Sequence, residues 1–276
     1  MPELPEVETI VRELRPRLVG RAFASVTLSH DDVLVGTTRR VLLGALRGAR
    51  VQALERRAKH AVFRLDSGAR FIIQPGMSGA LLVPDAAPEG EDARYAVLVA
   101  PLDAGGCFVY RDVRRLGNLL LLRDEAAWAA YDARLGPEPL DPALTVERFA
   151  APFRKSRQAV KKVLMDQRAV VGVGNIYANE ALFAAGIDPS KPARLLDEAR
   201  LGVLLAEVQR ILHAAIASKG TTFRDYRTGT GERGNFQLEL FVYGREGEPC
   251  RNCGRRLALT HLIDARSTVF CWGCQG

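Results

Sequence analysis

Cys250-Arg-Asn-Cys253, followed after seventeen residues by Cys271-Trp-Gly-Cys274, is the most specific pattern in the chain. Two Cys-x2-Cys knuckles at this separation supply four thiolates to one tetrahedral zinc ion. Protein fills every coordination position, so such a site is structural and does not activate water. It predicts a zinc-bound β-hairpin. The fifth cysteine, Cys107, lies in a candidate strand and reads as a small buried apolar residue. Clustering of this kind indicates a metal site, not a disulfide framework. Between the knuckles stand Arg255, Arg256, His261 and Arg266. Arginines on a metal-pinned hairpin suit phosphate contacts; a solvated basic surface is the plain alternative.

Upstream, a hairpin containing Phe241-Val-Tyr-Gly-Arg245 leads into this segment, and Thr221–Asn235 is polar, glycine-rich and reads as a mobile loop. Before it the pattern is helical, over Arg157–Met165, Asn175–Ala185 and Asp197–Ser218. Leu201, Leu204, Leu205, Val208, Ile211, Leu212 and Ala215 share one side of the last helix. Val170-Val-Gly-Val-Gly-Asn-Ile-Tyr177 lacks the third glycine and the βαβ context of a dinucleotide fingerprint. As a glycine turn feeding a helix capped by Asn175, it can hold a backbone phosphate; close helix packing is the ordinary reason for such glycines. Gly136-Pro-Glu-Pro-Leu-Asp-Pro142 reads as a linker.

Short strands fill Arg21 to Leu122, with candidates at Ala22–Leu28, Val51–Arg56, Ala61–Leu65, Phe71–Ile73, Leu81–Val83, Tyr95–Ala100, Cys107–Tyr110 and Leu119–Leu122. Helical interludes fall near Thr38–Leu46 and Asp124–Tyr131. Many short strands at this spacing predict an antiparallel sandwich or barrel. Arg56-Arg-Ala-Lys-His60 places Lys59 at the start of a strand, a solvated edge being the plain reading; Gln74-Pro-Gly-Met-Ser-Gly79 is a loop that presents Met77; and Arg111-Asp-Val-Arg-Arg-Leu-Gly117 joins two adjacent arginines to an apolar wedge. Met77 on a glycine loop is odd unless it packs on something such as a base stack, ordinary core being the alternative. Leu116 follows two arginines in the same style.

Met1-Pro-Glu-Leu-Pro-Glu-Val-Glu8 opens the chain. Pro5 suits a first helical turn, Glu6 and Glu8 complement the helix N-terminus, and Val7, Ile10, Val11, Leu14 and Leu18 form one apolar stripe ending around Pro16 and Gly20. Removal of Met1 would leave Pro2 with a free secondary amine. An α-amino group titrates near 8, against about 10.4 for lysine, so roughly a tenth is unprotonated at neutral pH. Such an amine can attack a carbonyl carbon, and from a secondary amine the product is a cationic iminium. Glu3 stands beside it as a proton carrier. On these residues alone a frayed terminus is the simpler reading.

At 276 residues the chain can hold two domains. It has no membrane-length apolar run and no signal peptide, which predicts a cytoplasmic protein. A net charge of +7, with arginine outnumbering lysine, favours a polyanionic partner.

Taken together, Pro2-Glu-Leu-Pro-Glu-Val-Glu8, Arg57-Ala-Lys59, Gly76-Met-Ser-Gly79, Arg114-Arg115, Leu135-Gly-Pro-Glu-Pro-Leu140, Val170–Asn175, Thr221-Thr222, Val242-Tyr-Gly-Arg245 and the four cysteines resemble the bacterial formamidopyrimidine-DNA glycosylase family, within the group that includes endonuclease VIII. The Glu-Leu-Pro start and Val-Gly-Val-Gly-Asn favour the formamidopyrimidine branch. The resemblance implies an α+β protein: an N-terminal antiparallel β-sandwich with flanking helices over 1–134, a linker over 135–146, a helical helix-two-turn-helix domain over 147–237 and a zinc-bound β-hairpin over 238–276. It implies a nucleoid-associated monomer that acts on double-stranded DNA containing oxidised purines or abasic sites, with one structural zinc on Cys250, Cys253, Cys271 and Cys274. Pro2 would be the nucleophile at the sugar C1′ and Glu3 would handle protons there. Lys59 would serve β-elimination and Arg266 δ-elimination. Met77, Arg114 and Leu116 would fill the gap left by a flipped nucleotide. Asn175 and Arg266 would grip phosphates, with Arg115, Arg157 and Tyr95 at further DNA-contacting positions. Arginines would line a cleft between the domains, and the loop Thr221–Asn235 would close over the flipped base.

The family usually has phenylalanine where this chain has Leu116, and Asp-Pro where it has Asp112-Val113. Leucine lacks a flat stacking face, which bears on lesion search and opposite-base choice. Two alternatives stay open on sequence alone: an endonuclease VIII-like enzyme for oxidised pyrimidines, and a non-catalytic zinc DNA-binding protein.

Overall fold

Glu3 stands at the N-cap of the first helix, α1 (Leu4–Leu18), and forms a capping box with Glu6, in which the Glu3 N–H donates to Glu6 Oε2 at 2.8 Å. The stripe Val7, Ile10, Val11, Leu14 and Leu18 is fully buried. Pro16 is accommodated inside the last turn, and the chain leaves through Gly20 at φ +85°. These positions come from a computed structural model that describes residues 2–222 and 226–276, apart from the side chain of Glu91.

Two compact units result: 1–133 with 218–237, and 134–217 with 238–276. The first unit continues with β1 (Thr27–Leu28), α2 (Arg39–Leu46), β2 (Val51–Arg57), β3 (His60–Leu65), β4 (Arg70–Gln74), β5 (Gly79–Leu82), α3 (Gly90–Arg94), β6 (Ala96–Pro101), β7 (Cys107–Asp112), β8 (Asn118–Leu122) and α4 (Glu125–Asp132). The strands form two four-stranded antiparallel sheets, ordered β2-β3-β4-β8 and β1-β6-β7-β5. Their inner faces share one core with α1, in which Phe63 of one sheet meets Phe108 of the other at 5.2 Å between ring centroids. This is the sandwich the strand pattern predicts. The first candidate strand is shorter than its pattern: only Thr27–Leu28 pairs continuously, and Ala22 and Phe23 make isolated bridges.

The second unit contains α5 (Val146–Arg154), α6 (Val160–Leu164), α7 (Asn175–Ala184), α8 (Glu198–Ala217) and an antiparallel pair, β9 (Ala258–Thr260) with β10 (Thr268–Phe270). Residues 136–139, read as linker from their prolines, are hydrogen-bonded into this unit. The Gly136 N–H donates to Gln167 O, Pro137 O accepts from Val171, and Pro139 O accepts from Gln209. Phe241–Arg245 is not a hairpin, contrary to its run of strand-forming residues. The Phe241, Val242 and Tyr243 N–H groups all donate to the buried carboxylate of Glu180, at 2.8–2.9 Å, so no strand ladder is available to them. Segment 218–237, assigned from sequence to the helical domain, packs with the first unit because its base is tied to α1 through Glu6.

Candidate functional site

Pro2 and Glu3 are buried, not frayed. Glu6 explains why. One carboxylate oxygen accepts from Glu3 N–H, and the other accepts from Thr221 N–H at 2.8 Å. The start of the chain and the base of the 218–237 segment are therefore held by one buried carboxylate. The Tyr226 hydroxyl donates to Glu6 O and to Lys219 O. Thr222 Oγ1 accepts from Gly234 N–H, and Thr230 N–H donates to Glu13. Read from sequence as a mobile loop, the segment is anchored on both sides of 223–225, which lie outside the described residues, as does Met1. Glycine is obligatory at 234, where a Cβ would stand 2.2 Å from Gly220 O.

Lys59 is buried in the two-residue turn that joins β2 to β3, not at the start of a strand. Met77 is 42% exposed and Leu116 55% exposed, so neither is core. A second buried carboxylate, Asp112, joins the loops that carry them. It accepts from Ser78 Oγ at 2.6 Å, from the Tyr110 hydroxyl at 3.0 Å and from Gly117 N–H at 2.9 Å. Ser78 Oγ in turn accepts from Arg114 N–H. Burial, then the Asp112 charge, pushes the Tyr110 phenol well above its ordinary range, so it remains a donor. The loops approach so closely that a Cβ on Gly117 would fall 1.9 Å from Tyr110 Oη. Two exposed apolar tips and Arg114 are thus presented from one rigid base.

Other positions are less converged. Arg115 is exposed, at φ +48°, and pairs with Asp32 at 2.9 Å. Tyr95 is half-buried at the edge of β6 with the guanidinium groups of Arg94 and Arg111 against its ring. Arg157 is exposed ahead of α6.

In the second unit, Asn175 is the first residue of α7 and not its cap, which is Gly174. Its Nδ2 donates instead to Ser267 O at 3.0 Å, which puts it beside exposed Arg266. The strand following Arg266 is held by buried groups: Lys161 Nζ donates to Thr268 Oγ1 at 2.7 Å, and Val269 N–H donates to Asn179 Oδ1 at 2.8 Å. Gln167 shapes the glycine turn before α7 by accepting from Gly172 N–H and donating to Val173 O. The four cysteine sulfurs all lie within 4.8 Å of one another. Tetrahedral thiolates 2.3 Å from an ion stand about 3.8 Å apart, and the Cys250–Cys274 separation is 3.8 Å. The cluster can hold one metal ion.

Glu6, Asp112, Gln167 and Glu180 organise these sites, yet the sequence reading gave none of them a site role. Glu6, Asp112 and Glu180 accept protons from segments far along the chain, and Gln167 closes a local turn through its amide; no motif signals any of these contacts.

The formamidopyrimidine-DNA glycosylase N-terminal domain family matches residues 1–119, and the corresponding H2TH domain family matches residues 135–227. The formamidopyrimidine-DNA glycosylase of Stutzerimonas stutzeri is 45% identical over 275 residues, covering all of both chains. Two solved structures of the Lactococcus lactis Fpg protein, one with DNA containing N7-benzyl-Fapy-dG and one with DNA containing an abasic site, are each 33% identical with a TM-score of 0.89 over 99% of both chains.

Proposed function

Because this chain belongs to the formamidopyrimidine-DNA glycosylase family, we propose that it excises oxidised purines, such as 8-oxoguanine and ring-opened formamidopyrimidines, from duplex DNA and then cuts the strand. It is a DNA glycosylase and abasic-site lyase of base excision repair. A base inside the duplex is out of reach of a nucleophile, so the nucleotide is flipped out, at a cost of a few kcal/mol. Met77, Arg114 and Leu116 enter the gap and offset part of that cost. Pro2, freed of Met1, attacks C1′ with its amine and expels the base, with Glu3 carrying protons at the sugar. The resulting iminium acidifies the C2′ hydrogens. Elimination of the 3′ phosphate follows with Lys59 as proton carrier, then elimination of the 5′ phosphate with Arg266. Asn175 and Arg266 hold phosphates, and Arg115, Arg157 and Tyr95 contact DNA. Zinc on Cys250, Cys253, Cys271 and Cys274 stiffens the hairpin that carries Arg266.

The observation that carries this reading is the buried capping box at Glu3 and Glu6, which holds Pro2 in one place as a nucleophile requires. Borohydride trapping on an 8-oxoguanine:cytosine duplex tests it. The chain forms a covalent adduct through the Pro2 nitrogen, and a chain that retains Met1 forms none through Pro2; absence of an adduct from the unaltered chain overturns the proposal. Side-by-side excision of 8-oxoguanine and thymine glycol separates the purine from the pyrimidine branch.

A further inference from the structure

Lys59 shares its turn with Ala58, and the residues flanking the turn, Arg57 and His60, are direct cross-strand partners. Ala58 sits at φ +56°, left-handed backbone that costs a residue with a side chain on the order of 1 kcal/mol. Such a conformation persists where its surroundings over-determine it. Here both flanking residues are held by consecutive residues at the end of α4. Tyr131 Oη lies 2.5 Å from His60 Nδ1, and Arg57 Nε donates to Asp132 Oδ1 at 2.5 Å. A third contact comes from Arg56, whose Nη1 donates to Ala58 O at 3.0 Å while its Nε donates to Glu8 of α1 at 2.8 Å.

Burial, then the charges of Lys59 and Arg57, pushes the His60 imidazole down to about 4. It is neutral at working pH, so Nδ1 is free to accept from the Tyr131 hydroxyl. The helix end is itself fixed. Trp128 packs on Tyr131 at 5.7 Å, and Arg70 of β4 lies over the Trp128 ring and pairs with Glu125.

We propose that Tyr131 and Asp132 are positioning residues for Lys59: the last turn of α4 clamps the hairpin turn and sets where the lysine ammonium stands during strand cleavage. This rests on the role of Lys59 in elimination given above. Neither residue touches the reacting atoms; each acts through the turn.

The test uses the full chain and two readouts on duplex DNA with a preformed abasic site. Borohydride trapping reads attack by Pro2, and single-turnover strand cleavage reads elimination. If the unaltered chain forms no adduct, or if Lys59→Ala cleaves at the full rate, the underlying reading fails. With that reading intact, Tyr131→Phe slows cleavage by about tenfold, the scale of a reacting group displaced by a fraction of an ångström, and leaves the trapping rate unchanged. In a Lys59→Ala background, Tyr131→Phe slows cleavage no further. Equal losses of trapping and cleavage, an unchanged cleavage rate, or a full additional loss in the Lys59→Ala background would each overturn the clamp. Asp132→Asn in the same cycle carries the test if Tyr131→Phe fails to fold, and Asp132→Glu restores part of the rate by renewing the pair with Arg57.

Discussion

In the second unit, four cysteine sulfurs gathered within 4.8 Å form a cluster that can hold one metal ion at the base of the C-terminal hairpin. In the first unit the comparable work falls to buried carboxylates: Glu6 ties Glu3 to Thr221, and Asp112 ties the Met77 loop to the Arg114–Gly117 loop. The two solutions differ in range. The cysteines lie within 25 residues of chain, whereas Glu6 and Thr221 are 215 residues apart. A metal tolerates weak local structure because coordination itself supplies folding free energy. A carboxylate needs its partners already delivered by the fold, and it then fixes them without occupying the surface they present. The candidate site residues follow this division: Pro2, Met77 and Leu116 stand beside carboxylate nodes, and Arg266 lies on the hairpin that carries the thiols.

The largest expected effect comes from breaking the thiol node. Cys271→Ser, or treatment with a chelator that strips a metal from the four thiols, should cost the hairpin on the order of 5 kcal/mol or more. Bound metal and strand cleavage should be lost together while the first unit keeps its near-ultraviolet dichroism. Retention of cleavage after metal loss would break the comparison.

On the carboxylate side, Gly117→Ala forces a Cβ to within 1.9 Å of Tyr110 Oη and 2.7 Å of Gln74 O. The expected cost is about 4 kcal/mol in urea unfolding, with impaired lesion cleavage. A loss under about 1 kcal/mol would mean that the two loops are not rigidly joined.

The Lys59 turn should make the first unit acid-sensitive. His60 titrates near 6.5 when unfolded and about 4 when folded. The unfolded chain therefore binds the proton more readily as pH falls. The stabilisation is complete above 6.5 and decays as pH drops toward 4, where about 3 kcal/mol is lost. His60→Gln should flatten that part of the stability-versus-pH curve, and an unchanged slope would exclude His60 as its source.

The smallest change is Glu6→Gln. It keeps one acceptor and turns an amide N–H₂ toward a backbone N–H, costing about 2 kcal/mol. Slower borohydride trapping with unchanged metal content would place the defect at the terminus alone.

Much of the first unit was legible because its strands alternate or run apolar with turn residues between them, and α2 and α4 carry caps at Thr38 and Asp124. Helix α5 was missed because Pro152 lies inside it and prolines crowd the stretch before it. At 241–245 the Phe-Val-Tyr run favours a strand, whereas in the fold Glu180 takes its N–H groups. The sequence suggests Asn175 as the cap of α7, but the helix begins at Asn175 itself, with Gly174 at the cap position, which leaves its amide N–H₂ to donate to the hairpin at Ser267 O.

Sequence by itself determined the thiol site, the amphipathic first helix and the reactive potential of Pro2. Each rests on residue chemistry and spacing within a few turns or strands. Only the tertiary structure decided that Glu6 ties the start of the chain to Thr221, that 218–237 belongs with the first unit, and that Asp112, Glu180 and the Tyr131–Asp132 pair hold the loops around them. The physical reason is the same in each case. A buried hydrogen bond forms between groups that the fold brings together from far along the chain, and their separation in sequence carries no period or spacing from which to read it.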